Sequence, residues 1–491
     1  MPEQPLPVFH TKPFKHQLDT LEASWLKPAY AILWEQGTGK TKLAIDTAQS
    51  LFLAGKIDGL LVLGPGGIPR NWITDELPVH LSPEVKAQTS CALWQTKKAG
   101  TKTHAATHAA LLGHKGLAVL CMTYDGFMTA LGKKAAWAFM QKRRILYVAD
   151  EAHHIKTPKA KRTKSVTTSA RHAPYRRLLT GTPVSQGPFD LYSQLKFVDP
   201  DLWKRMGLSP FACFKTHFGI WRRSQDVLEE EGYDPGYDQL VGYKNLDELS
   251  ALVAQMGSRV TKDEVLDLPP KLYQKMTHEL NPEQRRLYKQ FMDEFTAELE
   301  HGHRIDAPLA IQRLLRFQQI VCGYLPGDDE GNLQQIGNSN NRLALVEELR
   351  DLLPHKAIFW GRFNNDIDLM MDVLGERAVR YDGTVDEDAR ARAKDDFQKG
   401  DAQWFVAKQQ SAGEGLTLHA AKTAVYYSNT FRLLDRLQSE DRPHRIGMDD
   451  NPVNYIDLIA EDTVDEHIIK NLRLKRDIAA TLTGDELGEW I

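Results

Sequence analysis

The sequence predicts an α/β protein made of two parallel-sheet halves with a mostly helical middle. Three observations carry this expectation. Short buried-strand runs alternate with helical stretches in the first part of the chain. From about residue 186 to 345, aromatic and charged residues recur at helical spacing. The strand pattern then returns. In the first half the strand runs are "AYAILWEQG", "GLLVLGPGG", "GLAVLCMTYD", "RILYVADEAH" and "RRLLTGTP", with "TKLAIDTAQSLFLAG" at helical spacing behind the first. Nearly continuous apolar runs of this kind are strands covered on both faces, as in a parallel sheet. The middle holds "FACFKTHFGIWRR", "PEQRRLYKQFMDEFTAELEHGHRI" and "APLAIQRLLRFQQIVCG", which read as helices, and "EEEGYDPGYDQ" and "LPGDDEGNLQQIGNSNN", which read as loops. In the second half the strand candidates are "KAIFWGRF", "RAVRYDG", "AQWFVAKQQ", "TAVYYSN" and "VNYIDLIA".

Composition narrows the class. A chain of 491 residues with 42% hydrophobic and 26% charged residues can build several ordinary cores. Its net charge of −3 gives no support for a nucleic-acid partner, so any basic surface has to be local. Cys91, Cys121, Cys213 and Cys322 are far apart, without a Cys-x-x-Cys pair, which argues against a disulfide framework or a zinc site of that type. No apolar run is long enough to span a membrane, and the N-terminus has no charged-then-apolar signal pattern. A cytoplasmic protein without a membrane partner is expected.

The chemistry starts at "WEQGTGKTK". The phosphate-loop pattern G-x-x-x-x-G-K-[ST] ends here on Gly39-Lys40-Thr41, but Trp34 stands where the first Gly would fall. A Gly-rich turn between a buried strand and a helix aims backbone N–H groups at one point, and the helix N-terminus adds partial positive charge. Gln36, Gly37, Thr38 and Gly39 form that turn. Lys40 can reach nucleotide phosphates, and the Thr41 hydroxyl can ligate Mg²⁺. A second element, "ILYVADEAHH", puts Asp150 and Glu151 at a strand end. There Asp150 suits Mg²⁺ and Glu151 suits orienting and deprotonating a water. His153 and His154 have no further ligands at useful spacing, so a hydrogen-bonding role is expected rather than a metal. In "SEDRPHRIGM", Arg442 and Arg445 are three apart, which on a helix is one turn, and paired arginines can stabilise charge on a transferring phosphoryl group.

Taken in order, "DEAH", "LLTGTP", "SAGEGLTL" and "QSEDRPHRIG" resemble the motif series of superfamily-two helicase-like ATPases. In that superfamily the first loop commonly lacks its leading Gly, which accounts for Trp34. More narrowly, the chain resembles the Swi/Snf-type ATPases. "PFKHQLDTL", "LVLGPGGIPRNWITDEL", "DEAHHIKTPKAKRTK", "LLTGTPVSQGPFDLYSQLKFVDP", "GSRVTKDEVLDLPPK", "FWGRF" and "YDGTVDEDARARAKDDF" are similar to successive family motifs over nearly the whole chain. Gln186, Thr417, "FRL" before the last motif and Met448 depart from the family pattern, and suggest a bacterial or phage branch.

The resemblance implies two RecA-like α/β lobes with helical protrusions between them: lobe one over residues 1–200, protrusions and linker over 201–345, and lobe two over 346–491. It implies DNA-stimulated ATP hydrolysis with Mg²⁺, driving translocation on double-stranded DNA and remodelling of DNA or DNA-bound proteins. Gln17 would read the adenine. Thr180, Thr182, Gly413, Gly415 and Gln438 would couple the motifs, and Arg442 and Arg445 would come from the second lobe. Arg70, Asn71, Thr123, Arg362 and Ser411 lie in motifs that face nucleic acid in the family, on its backbone and not its bases. The basic run Lys156, Lys159, Lys161, Arg162 and Lys164 reads either as a solvated charge run or as a flexible loop following phosphates, and the resemblance favours DNA. Trp203, Phe214, Phe218 and Trp221 read more as core than as base-stacking residues. A strand-separating helicase and a nucleotide-gated scaffold without turnover remain as alternative functions.

Overall fold

All ten apolar runs quoted above form strands. The computed structural model describes residues 6–231, 236–300, 307–325, 334–411, 416–445, 447–485 and 490. In chain order the first strands are β1 (Ala29–Trp34), β2 (Gly59–Gly64), β3 (Thr89–Leu93), β4 (Leu117–Thr123), β5 (Ile145–Asp150) and β6 (Tyr175–Leu179). β7 (Gly219–Arg222) and β8 (Gln239–Tyr243) form an antiparallel hairpin, and β9 (Gly257–Val260) follows. After β10 (Lys271–His278) comes a two-residue pair, β11 (Tyr324–Leu325) and β12 (Gln334–Gln335). The last strands are β13 (Ala357–Gly361), β14 (Ala378–Tyr381), β15 (Trp404–Lys408), β16 (Thr423–Tyr426) and β17 (Val453–Ala460).

The chain divides into two units. The first comprises Met1–Phe218, Lys244–Asp267 and Ile478–Glu486, and the second Gly219–Tyr243, Leu268–Asp477 and Leu487–Ile491. Each is an α/β lobe on a parallel sheet. The first sheet runs β3-β4-β2-β5-β6-β1-β9 and the second β10-β17-β16-β13-β15-β14, with every neighbouring pair parallel. Alternation along β1 sends Ala31 and Leu33 to one face of the first sheet and Ile32 and Trp34 to the other, into separate apolar clusters. β13 does the same in the second lobe, with Ala357 and Phe359 opposite Ile358 and Trp360. Among the described residues no helix is long and apolar enough to cross a membrane.

The structure differs from the expectations in four places. The two stretches read as loops hold, in their described residues, the end of the helix Ser224–Glu231, the start of β8 and parts of the β11–β12 pair. "FACFKTHFGIWRR" is helical only over Phe211–Phe218 and then becomes β7, because Ile220, Trp221 and Arg222 pair with β8. The basic run is a loop only as far as Ala160; Lys161–Ser169 is a helix. Thr163, Val166, Thr167 and Ala170 bury its inner face at i, i+3, i+4 and i+7, a helical stripe hidden by its threonines. Arg442 and Arg445 lie on no helix. The helix Leu433–Glu440 stops short of them, since Pro443 lacks an N–H and disfavours helical geometry at Arg442. Trp203, Phe214 and Phe218 are buried core residues, as read, and Trp221 is half-buried.

Trp34 has a structural reason to replace the expected Gly. Its ring is fully buried at the end of β1 and its Nε1 donates to Ser258 Oγ on β9 at 2.9 Å. Trp34→Phe keeps the ring and loses that bond, so it is expected to cost about 1–2 kcal/mol. Trp34→Gly rebuilds the longer loop pattern but empties the site, and is expected to cost about 4 kcal/mol or more. Thermal melting of both variants checks the order; a Trp34→Gly chain melting with the parent would remove Trp34 from the core.

Candidate active site

The loop after β1 is bent by glycine. Gly39 has φ 87° and caps the helix Lys40–Leu53; a Cβ there would sit 1.9 Å from Gln17 Nε2. Gln17 is buried. Its Oε1 accepts the Phe14 N–H at 2.8 Å and its Nε2 donates to the carbonyls of Gly39 (3.3 Å) and Thr38 (3.5 Å). His16 Nε2 also meets the Thr38 carbonyl, at 2.9 Å. The Gln17 amide thus braces the loop from below. Lys40 Nζ donates to the Glu35 carbonyl at 3.0 Å, which the Thr38 hydroxyl shares at 2.8 Å, so the ammonium folds over the turn. Thr41, in the first turn of that helix, is half-buried, as is Gln36 in the Gly-rich turn.

β5 ends at Asp150, and Glu151 follows in the left-handed region at φ 48° and ψ 53°. A non-glycine residue rarely adopts that backbone, and such positions gather at functional sites. Asp150 Oδ2 accepts the Trp72 indole N–H at 2.9 Å, and Oδ1 accepts the Glu151 N–H at 2.9 Å. Tyr124 OH donates to the Asp150 carbonyl at 2.8 Å. Burial, then the charge of Glu151, push the Asp150 carboxyl up to about 7. Glu151 is buried too, which by itself would raise it, but His153, then Lys40 and His154, hold it below the usual carboxylate range. Its Oε2 lies 3.3 Å from His153 Nδ1, is shielded from solvent and takes no hydrogen bond of good geometry. Lys40 is thus close enough to act on both carboxyls, which brings the two halves of the expected nucleotide site together in one lobe.

The β6 end joins them. His153 Nδ1 is also 3.3 Å from Thr180 Oγ1, which accepts the Thr182 N–H at 3.2 Å. A Cβ on Gly181 would lie 3.2 Å from the Gln36 N and 3.3 Å from the Trp34 carbonyl, so the two loops are in contact. Hence β1, β6 and β5, three neighbours in the sheet, deliver the loop, the threonines and the acids at their carboxyl ends, where parallel sheets build their sites.

The nucleic-acid candidates of this lobe come from the other strands. Arg70 and Asn71 are exposed after β2. Thr123, at the end of β4, uses its hydroxyl to cap a short helix by accepting the Gly126 N–H at 2.9 Å. Lys156 is tied to Ser185 and Asp190, and Arg162 to Asp125. Lys159, Lys161 and Lys164 are exposed.

In the second lobe Arg362, after β13, has its guanidinium on Gln318. Ser411 is half-buried in the turn after β15. Arg442 is buried, with Nη1 on the Leu416 carbonyl at 3.1 Å; Arg445 donates to the Asp441 carbonyl at 3.0 Å and to Thr417 Oγ1 at 3.3 Å. Gln438 is half-buried on the helix Leu433–Glu440. Gly413 and Gly415 lie outside the described residues.

Residues 31–322, more than half of the chain, match the SNF2-related domain, and residues 342–447 match the helicase conserved C-terminal domain. The chain belongs to the SNF2-related family. Similar proteins include the chromodomain-helicase-DNA-binding protein 1-like of Mus musculus, 26% identical over 90% of this chain and 46% of that protein. The chromatin structure-remodeling complex subunit snf21 of Schizosaccharomyces pombe is 26% identical over 74% of this chain and 31% of that protein. The chain thus spans less than half the length of each of these relatives. A solved Sulfolobus solfataricus SWI2/SNF2 ATPase core in complex with dsDNA aligns over 98% of this chain and 95% of that one, at 21% identity and a TM-score of 0.42.

Within this SNF2-related lobe, two residues matter that motif reading did not assign. Trp72 orients Asp150 although 78 positions separate them, and only its place in a motif marked it. Glu35 carries the carbonyl on which Lys40 rests. Among the described residues no group of three or more His, Cys, Asp or Glu is gathered to hold a metal. Asp150 and Thr41 alone supply too few ligands, but they fit Mg²⁺ that brings phosphate oxygens and waters with it. The buried acid pair, raised at Asp150, is a set of charges that a cation would relieve.

Without nucleotide, Asp150 is expected to mark the pH dependence of stability. A carboxyl whose pKa rises on folding, here from 3.8 to about 7, adds stability only while protonated. That contribution is complete below about pH 4 and is lost as pH rises towards 7. Asp150→Asn, which cannot ionise, is therefore expected to gain melting temperature over the parent at pH 8 and less so at pH 5. An equal shift at both pH values would contradict a raised Asp150.

Proposed function

We propose that the chain is a DNA-stimulated ATPase that translocates on double-stranded DNA and remodels DNA or protein–DNA complexes. The observation that carries this reading is the meeting of Lys40 with the buried Asp150–Glu151 pair in a lobe of the SNF2-related family. ATP is read at the loop Gln36–Thr41, with the Lys40 ammonium on its phosphates and Thr41 and Asp150 holding Mg²⁺. The bound ion would neutralise developing charge on the phosphates. Glu151 accepts a proton from the attacking water; His153 and Lys40, which hold its buried carboxyl below the usual carboxylate range, support an ionised base. Gln17 is read as a brace of the loop as well as an adenine contact. Thr180, Thr182 and Gln438 are the proposed coupling residues, with His153 relaying between Glu151 and Thr180. Arg442 and Arg445 are the proposed source of charge on the phosphoryl group, Thr417 holding Arg445 where the family has Asn.

DNA is read as backbone-bound through Arg70, Asn71, Lys159, Lys161, Arg362 and Ser411. Lys156 and Arg162 are assigned a positioning part, since each is held by a carboxylate. A cavity of about 390 Å³ lined by Lys159, Lys164, Lys196 and Lys215 beside the exposed start of the helix Lys161–Ser169 supports a phosphate-following surface. We assign the chain to a bacterial or phage branch acting in the cytoplasm, on the departures at Gln186, Thr417 and Met448.

Steady-state hydrolysis with duplex DNA, single-stranded DNA, RNA and no nucleic acid tests the reading. Stimulation is expected to be largest with duplex DNA. Glu151→Gln is expected to bind ATP within a few-fold of the parent and to lower kcat by about 10²–10⁴-fold. Turnover by Glu151→Gln at the parent rate would overturn the assignment of the base, and efficient unwinding of a fork without displacement of a triplex strand would favour a strand-separating helicase.

The basic surface has its own check. Replacing Lys159, Lys161 and Lys164 with Ala is expected to weaken binding to all duplex sequences alike. The slope of log affinity against log salt should flatten by about 0.9 for each phosphate that the variant no longer neutralises. An unchanged slope would make the run a solvated charge cluster.

A further inference from the structure

Arg259, on β9, spends every N–H of its guanidinium inside the first lobe. Nη1 donates to the Leu33 carbonyl at 2.6 Å and the Gly181 carbonyl at 3.2 Å, gathering the ends of β1 and β6. Nη2 donates to Glu35 Oε1 at 3.3 Å and to Asp485 Oδ2 at 2.7 Å, and Nε to Asp485 Oδ1 at 2.8 Å. The other Glu35 oxygen, Oε2, accepts the Lys262 N–H at 2.8 Å. Glu35 is therefore clamped by its side chain while its carbonyl carries Lys40 and Thr38. A continuous path of hydrogen bonds runs Asp485, Arg259, Glu35, Lys40.

Asp485 reaches this place from the far end of the sequence. The helix Val464–Thr483 follows β17, the last strand of the second lobe, and ends at Gly484, whose φ of 76° favours glycine. The N–H groups of Gly484 and Asp485 both return to the Ala480 carbonyl, at 2.8 and 3.1 Å. Ile478, Ala479 and Leu482 pack into the core of the first lobe, so residues 478–486 belong to that lobe. The turn at Gly484 presents the Asp485 carboxylate to Arg259 as a fork-to-fork pair, the stronger of its two ion pairs. Arg259 is 14% exposed and Asp485 20%, against 36% for Glu35. Burial would lower the Arg259 pKa; the Asp485 hydrogen bonds and charge, then Glu35, raise it above its ordinary value. Removing Asp485 leaves a buried guanidinium with one weaker, more exposed partner. It is then drawn away from the Leu33 and Gly181 carbonyls.

We propose that Asp485 is a positioning residue for the phosphate loop, acting through Arg259 and Glu35, so that the first lobe's nucleotide site is complete only with the segment that arrives after the second lobe. This rests on the nucleotide reading of that loop, and the test separates the two. In the full-length chain, Asp485→Asn, Asp485→Glu and Arg259→Lys are compared with the parent and with Arg473→Ala, an exposed position on the same helix. Amide hydrogen exchange over residues 35–41 is read without nucleotide, and kcat and KM for ATP are read at saturating duplex DNA. Asp485→Asn is expected to speed exchange in the loop and to lower kcat/KM about tenfold, chiefly through KM. Asp485→Glu should recover part of both and Arg473→Ala should change neither. Exchange over 35–41 unchanged in Asp485→Asn, or kcat/KM within twofold of the parent while the melting temperature falls, would overturn the proposal. Faster loop exchange in a chain whose parent hydrolyses no ATP would keep the link and sink the nucleotide reading instead.

Discussion

Two neighbouring acids at a buried strand end, Asp150 and Glu151, set the terms for the first lobe. Neither can be ionised there without a partner, because charge leaves water only at a large cost. Trp72 and the Glu151 N–H meet Asp150, and His153 and Lys40 meet Glu151. Even so, Asp150 stays raised. The residual imbalance is what a phosphate-bound cation would correct. The left-handed backbone of Glu151 fits the same account, since such positions gather at functional sites.

The order of the sheet divides the work. β1, β6 and β5 stand side by side and bring loop, threonines and acids together, while β2 and β4 carry Arg70, Asn71 and Thr123 on the remaining strand ends. The basic helix beginning at Lys161 follows directly on the DEAH segment through a loop of a few residues. A change at the acids therefore has a short covalent path to the proposed DNA surface. Packing strengthens it, with Lys156 held on Asp190 and Arg162 on Asp125.

Much of this was legible in the sequence, for definite physical reasons. Strands buried on both faces read as unbroken apolar runs, and β1, β2, β4, β5 and β13 are such strands. β3 and β10 lie at sheet edges and are partly exposed, so their composition is mixed and no run marked them. β9 is four residues long and closes the first sheet from a distant part of the chain. Within the site, the loop and the acids were legible because their chemistry demands fixed local spacing. Trp72 on Asp150, Trp34 on Ser258 and Asp485 on Arg259 were not, because each pairs residues 78 to 226 positions apart, which no local pattern encodes. Arg442 and Arg445 show the converse: a spacing of three suggested a helix that Pro443 prevents.

The central claim is that the first lobe is built to take a nucleotide together with its cation, and not either alone. Titration calorimetry of the full-length chain with a non-hydrolysable ATP analogue, in Mg²⁺ and in EDTA, tests it most directly, with Mg²⁺ titrated alone as the third arm. The expected result is one nucleotide bound per chain in Mg²⁺, markedly weaker binding in EDTA, and no heat from Mg²⁺ alone. Equal affinity with and without the cation, or tight binding of Mg²⁺ to the nucleotide-free chain, would contradict the account.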